Sequence, residues 1–168
     1  MKVEDVMVRD IVTIEASATL LDAATRMRNA NVGMLPVTAN GEMRGVVTDR
    51  DLVVRGMAGR LDPSSTRVAE CATPEPRCAR PDWGVDDALE VMAQEQIGRL
   101  PVLDEDDHLV GIVTLGSLAL RSRAEKEALE AAKAVSRRSA KGLTTPPKKR
   151  GTEPRRTRDT RRTLRRAS

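Results

Sequence analysis

The chain has 168 residues, 39% of them hydrophobic, with a net charge of +4, which suits one compact domain plus an extension. It has no Phe, no Tyr and one Trp, so its core and any pocket are expected to be aliphatic. The charge is divided: residues 1–120 hold 12 Lys and Arg against 20 Asp and Glu, a net of −8, and the remainder hold 17 against 5, a net of +12. No apolar run is long enough for a signal peptide or a bilayer span, and a cytoplasmic location is expected.

In chain order, Val12 to Ile14 reads as a short strand. Ser17 or Thr19 then caps a helix whose apolar positions Leu20, Ala23, Ala24 and Met27 recur at helical spacing, and Asn31 to Gly33 ends it. Met34–Val37 and Arg44–Val47 are β-prone runs on either side of Asn40-Gly41, a two-residue hairpin signal. Thr48 opens a second helix that ends near Gly56. After a linker containing Asp62, Pro63, Ser64 and Ser65, the order strand, helix, strand, strand, helix returns. Its members are Cys78–Arg80, Val85–Gln94, Arg99–Leu103, Leu109–Val113 and a helix from Thr114. That last helix is expected to continue to about Val135, where Ala, Glu, Lys and Leu dominate, and residues 136–168 read as a disordered basic tail.

The return is an internal repeat. GMLPV at 33–37 and GVVTDRD at 45–51 match GRLPV at 98–102 and GIVTLGS at 111–117, at an offset of 65 that becomes 66 after one inserted turn residue. Two units of about sixty residues that share a core follow from this. The copies differ at one chemically important place, where Asp51 is matched by Ser117.

Thr48 followed three residues later by Asp51 has two readings. In a capping box, the hydroxyl and the carboxylate satisfy backbone N–H groups of their own helix. In a ligand site, the helix start and the Thr hydroxyl meet a phosphate, and the carboxylate accepts two hydrogen bonds from ribose hydroxyls. Pro36 interrupts a β-ladder, either ending an edge or leaving backbone near Met34 and Leu35 free to read the edge of a base.

The order of elements, the two LPV strands and the run from Gly45 to Asp51 resemble a tandem pair of cystathionine-β-synthase (CBS) domains, a Bateman module, over about residues 1–122. The resemblance implies an α/β (α+β) fold of two β-α-β-β-α repeats with pseudo-twofold symmetry, followed by a C-terminal helix and the disordered basic tail. The repeats would span 1–60 and 68–122, with a linker at 61–67, a helical extension at 123–135 and the tail at 136–168. It also implies two clefts for an adenosine-containing ligand such as AMP, ADP, ATP or S-adenosylmethionine, with no cofactor required. In the first cleft, Asp51 would bind the ribose and Thr48 the phosphate; Val32, Gly33, Met34, Leu35 and Pro36, with Val12 and Thr13, would enclose the base over a floor at Val46. In the second cleft, formed by Gly98, Arg99, Pro101, Thr114 and Ser117, the missing carboxylate predicts impaired binding. Arg99 there either reaches a phosphate or is an ordinary exposed Arg at a strand start.

No catalytic constellation is visible: the single His108 lies in the acidic turn DEDDH. Cys71 and Cys78 read as reduced packing residues, with a disulfide as the alternative and no metal ligand set. The expected activity is therefore that of a non-enzymatic sensor acting on a separate protein, the resemblance implying a homodimer. A ligand-free dimerisation scaffold is the competing expectation. Clusters KKR (148–150), RRTR (155–158) and RRTLRR (161–166) would let the tail hold nucleic acid or another polyanion non-specifically.

Overall fold

The computed structural model describes residues 1–121 and 125–140. A short helix α1 (Val3–Val6) precedes β1 (Ile14–Glu15), α2 (Leu20–Ala30) and the hairpin β2 (Met34–Ala39) and β3 (Glu42–Thr48). Next come a single turn α3 (Asp49–Asp51), which widens into a π-helical stretch over Leu52–Met57, and then α4 (Val68–Cys71) and β4 (Thr73–Pro74). The remaining elements are α5 (Val85–Glu95), β5 (Arg99–Leu103), β6 (Leu109–Thr114), α6 (Leu115–Arg121) and α7 (Glu125–Ala140).

Local chemistry accounts for most boundaries. Thr19, not Ser17, caps α2: its hydroxyl accepts from the Asp22 N–H at 3.1 Å while the Asp22 carboxylate accepts from the Thr19 N–H at 3.0 Å. The Thr19 N–H and the Thr19 hydroxyl, which donates to the same carboxylate at 2.8 Å, hold the Asp22 carboxyl below its ordinary pKa. Asn31, in the left-handed region at φ 53°, closes the helix. Asn40 and Gly41, at φ 56° and 82°, make the tight turn between β2 and β3. In the second hairpin the turn is tied by Asp104, whose carboxylate accepts from the N–H groups of His108 and Asp106 at 2.8 and 3.0 Å. His108 is thus placed at the turn's exposed tip, 3.5 Å from the same carboxylate.

The two units hold each other by exchanging their leading segments. Val3, Val6 and Met7 lie in the core of the second unit, against Leu89, Met92, Leu100, Val102, Val113 and Leu118. Val68 lies in the core of the first, against Ile14, Ala23, Met27, Leu35, Val37 and Val47. The backbone follows: Val8 bridges to Ile112, while Thr73 of β4 pairs with Val46 of β3. These pairs are equivalent under the repeat offset. So are Lys2 with Gly84 and Arg67 with Thr19, and Ile14 with Val37 and Ala79 with Val102. The result is a four-stranded sheet β1-β2-β3-β4 and a two-stranded sheet β5-β6 related by a pseudo-twofold axis.

Three sequence expectations change. The strand expected at Val12–Ile14 is shifted to Ile14–Glu15. The one expected at Cys78–Arg80 is reduced to the single bridge at Ala79, because only one residue reaches the edge of β5. The single helix expected from Thr114 to Val135 is two elements, α6 and α7, and the second of them runs to Ala140. It lies over α5 and α6, with Ala128 and Ala131 buried in the second core, so it completes that unit. The rest of the tail, 141–168, lies outside the described residues.

Candidate functional site

The hairpins deliver both Thr-containing motifs to the ends of β3 and β6, where Met34 pairs with Thr48 and Arg99 with Thr114. At the first motif the Asp51 Oδ2 accepts from the Thr48 N–H at 2.9 Å and from its hydroxyl at 2.7 Å, while the Asp51 N–H donates back to the Thr48 Oγ at 3.2 Å. Oδ1 is 3.6 Å from the Arg55 Nε, and the Asp51 side chain remains 15% exposed. Arg55 also donates to the Cys71 carbonyl at 2.8 Å and the Thr73 hydroxyl at 3.2 Å, so it ties this motif to the exchanged segment. The capping box therefore exists, and one carboxylate oxygen has only a long ionic contact.

The second motif reproduces the cap with a hydroxyl. Ser117 Oγ accepts from the Thr114 N–H at 3.0 Å, the Ser117 N–H donates to the Thr114 Oγ at 3.0 Å, and the Ser117 hydroxyl donates to the Thr114 carbonyl at 3.0 Å. Serine thus meets the structural need of this position. A carboxylate at residue 51 is more than the cap requires.

An open cavity of about 270 Å³ lies at the seam between the units. Its apolar walls are Val8, Val12, Val32, Met34 and Ile112, and its polar groups come from Asp10, Asn31, Arg99 and Thr114. The size is near the lower end for small-molecule sites, roughly 300 to 1,000 Å³, and the mixture of apolar wall and few polar groups is typical of them. Among the described residues, the Arg99 guanidinium has no hydrogen-bond or ion-pair partner. A Cβ added at Gly33 would lie 2.8 Å from the Asp49 Oδ2 and 3.7 Å from the Arg99 Nη2; the missing side chain keeps this rim open. A larger groove of about 650 Å³ runs between β1 and α2, past Asp22, Thr25 and Arg26, and contains neither motif.

The grouping of residues differs from the sequence expectation. Gly33 and Met34 lie beside Thr48, with Met34 opposite Thr48 in the hairpin and the Asp49 N–H donating to the Gly33 carbonyl at 3.2 Å, and together with Val12 and Val32 they also line the cavity that holds Arg99 and Thr114. The exchange of leading segments brings β6 there: the stretch after α1 bridges to it at Ile112, so residues of both repeats line the cavity. Leu35 is fully buried in the first core and Pro36 is buried in register with Val46. Val46 pairs with Thr73 in the sheet, and the Thr13 carbonyl accepts from Arg26 at 2.6 Å. In the second repeat, Gly98 accepts from the Leu115 N–H at 3.0 Å through its carbonyl, and Pro101 is buried opposite Ile112. Val8, Asp10 and Ile112 were not foreseen. The signal for them is that Val3 falls on Val68 at the repeat offset of 65, which places the leading segment inside the repeat.

Cys71 and Cys78 are free thiols, and burial pushes both up from the ordinary thiol value. Among the described residues no cluster of three His, Cys, Asp or Glu side chains could hold a metal ion, and no helix is long and apolar enough to cross a membrane.

Two α/β repeats clasped by exchanged segments, with a crevice at their seam, define a tandem-repeat module. The profile of the CBS domain matches residues 3–56 and 68–122, and the chain belongs to the CBS domain family. It is 38% identical over 126 residues to the CBS domain-containing protein YhcV of Bacillus subtilis (strain 168), covering 75% of this chain and 89% of that one. Among solved structures it is similar to Hypoxic Response Protein I with two coordinated zinc ions, with 32% identity, a TM-score of 0.66, and coverage of 72% and 98%. It is also similar to CBSX2 in complex with AMP, with 26% identity, a TM-score of 0.62, and coverage of 71% and 93%.

Proposed function

We propose that the chain is a non-enzymatic regulatory module that binds an adenosine-containing ligand in the crevices between its repeats and modulates a partner protein. The observation that carries this reading is the seam cavity, where aliphatic walls fit the faces of a base and Thr114 and Arg99 offer donors to an anionic group. CBSX2, a relative of the same fold, was crystallised with AMP. AMP, ADP, ATP and S-adenosylmethionine are the candidates. At the pseudo-symmetric motif, Asp51 holds its cap with Oδ2 and keeps Oδ1 to accept from a ribose, at the cost of its 3.6 Å contact with Arg55.

A ligand at the seam touches both repeats, so it favours one packing of the pair over another by its difference in affinity for the two. The regulated protein reads that packing, in the cytoplasm and from a homodimer. A ligand-free dimerisation scaffold, with the basic tail holding a polyanion, is the second reading. It is favoured by the engagement of the Asp51 carboxylate with its own backbone.

Thermal denaturation of the full chain with AMP, ADP, ATP or S-adenosylmethionine separates the two. At a hundredfold excess over Kd, a true ligand adds about 2.7 kcal/mol, which raises the midpoint of a chain this size by roughly 5 to 10 °C. Asp51→Ser is the control, because Ser117 fills the same cap. It is expected to melt close to wild type without ligand, whereas Asp51→Ala loses the cap and about 1 kcal/mol. A midpoint that none of the four compounds moves would leave the scaffold reading in place.

A further inference from the structure

The two crevices carry different halves of the chemistry that recognises a nucleotide. The repeat offset places Met34 opposite Arg99 and Asp51 opposite Ser117. One motif therefore has a carboxylate and a thioether, and the other a hydroxyl and a guanidinium. In the seam cavity, Arg99 is a cation without a partner among the described residues. Ser117, which stands where a diol acceptor would, spends its hydroxyl proton on the Thr114 carbonyl and accepts from the Thr114 N–H. Asp10 is the carboxylate among the lining residues. The antiparallel bridge of Val8 with Ile112 carries the chain from Val8 to Asp10 away from Thr114. Asp49 comes close to the Gly33 rim without pairing with Arg99, and its Oδ1 accepts from the Arg50 backbone N–H at 2.7 Å.

We infer that the seam cavity at Arg99 and Thr114 selects its ligand by phosphate charge and is indifferent to the sugar's 2′-hydroxyl, so that it takes ribo- and deoxyribonucleoside phosphates alike and rejects the uncharged nucleoside. The inference rests on the proposed ligand-binding function and says which feature of the ligand this crevice reads. A guanidinium meeting a phosphate makes charge-assisted bonds, frequently paired. A lone serine already used in its own turn offers a vicinal diol nothing comparable.

Calorimetric titration of the full chain carrying Asp51→Ser, which removes the carboxylate of the other motif, tests this with AMP, 2′-deoxy-AMP and adenosine. AMP and 2′-deoxy-AMP are expected to bind within about threefold of each other, and adenosine at least tenfold more weakly, the scale of a lost charge-assisted bond. Adding Arg99→Met, which copies Met34, is expected to weaken AMP by at least tenfold while Trp83 emission stays native, because Arg99 is exposed and unpaired. Adding Ser117→Asp is expected to create a preference for AMP over 2′-deoxy-AMP. A tenfold ribose preference before Ser117 is changed, or AMP binding that Arg99→Met leaves untouched, overturns the inference and leaves the regulatory reading standing. Failure of the unsubstituted chain to bind any of the three overturns both.

Discussion

Deleting residues 1–8 is expected to unfold the second repeat and to spare the first. The deleted segment supplies Val3, Val6 and Met7 to the second core, each at most 5% exposed. Burying three such side chains contributes roughly 5 to 9 kcal/mol, comparable with the whole stability of a typical domain at about 5 to 15 kcal/mol. The segment also donates from the Val3 N–H to the Trp83 carbonyl at 2.9 Å and exchanges bonds of 2.8 and 2.9 Å between Val8 and Ile112. Trp83 is the chain's single Trp and lies against the second core, which makes it a built-in reporter. Its emission should shift to the red on deletion, and amides of α5, β5 and β6 should lose protection from hydrogen exchange before those of β2 and β3. The reverse order, with the first repeat opening while Trp83 stays native, would mean that each leading segment folds onto its own repeat.

Gly45→Ala carries the next largest effect. A Cβ there would lie 2.6 Å from the Thr73 carbonyl oxygen and 3.3 Å from its carbon, and these atoms belong to the strand that pairs with β3. Backbone cannot rotate away as a side chain does, so β4 must shift, at a cost of about 1 to 3 kcal/mol. The equivalent Gly111→Ala meets Met7, with Sδ at 2.5 Å and Cγ at 2.9 Å. Methionine is flexible and can repack, so the smaller loss of urea stability belongs to Gly111→Ala, and Met7→Ala added to it should relieve the clash. Equal midpoints for Gly45→Ala and wild type would show that the exchanged strand does not press on Gly45.

The pairing of the repeats was legible because each carries strong local chemistry: an LPV strand, a polar hairpin turn (Asn-Gly in the first repeat, an acidic run in the second), and a Thr three residues before a capping partner. The exchange was not. An offset relates like to like and is silent about which copy a segment packs against, and α1 and α4, at four residues each, are too short to show a helical period. The same blindness hid part of the cavity lining. Thr114, Arg99, Val12, Val32, Gly33 and Met34 were all named from sequence, but Val8, Asp10 and Ile112 come together with them only because the chain crosses from one repeat to the other before β1. Leu35 illustrates the opposite error, since a residue flanking a motif in the sequence points into the core when strand alternation turns it there.

The central claim is that a nucleotide sits at the seam of the two repeats. Hydrogen exchange of the full chain with and without saturating AMP tests it most directly. Residues 8–12, 31–34 and 109–114 are expected to exchange more slowly with AMP. Unchanged exchange across these three stretches, or slowing confined to the groove between β1 and α2, would contradict it.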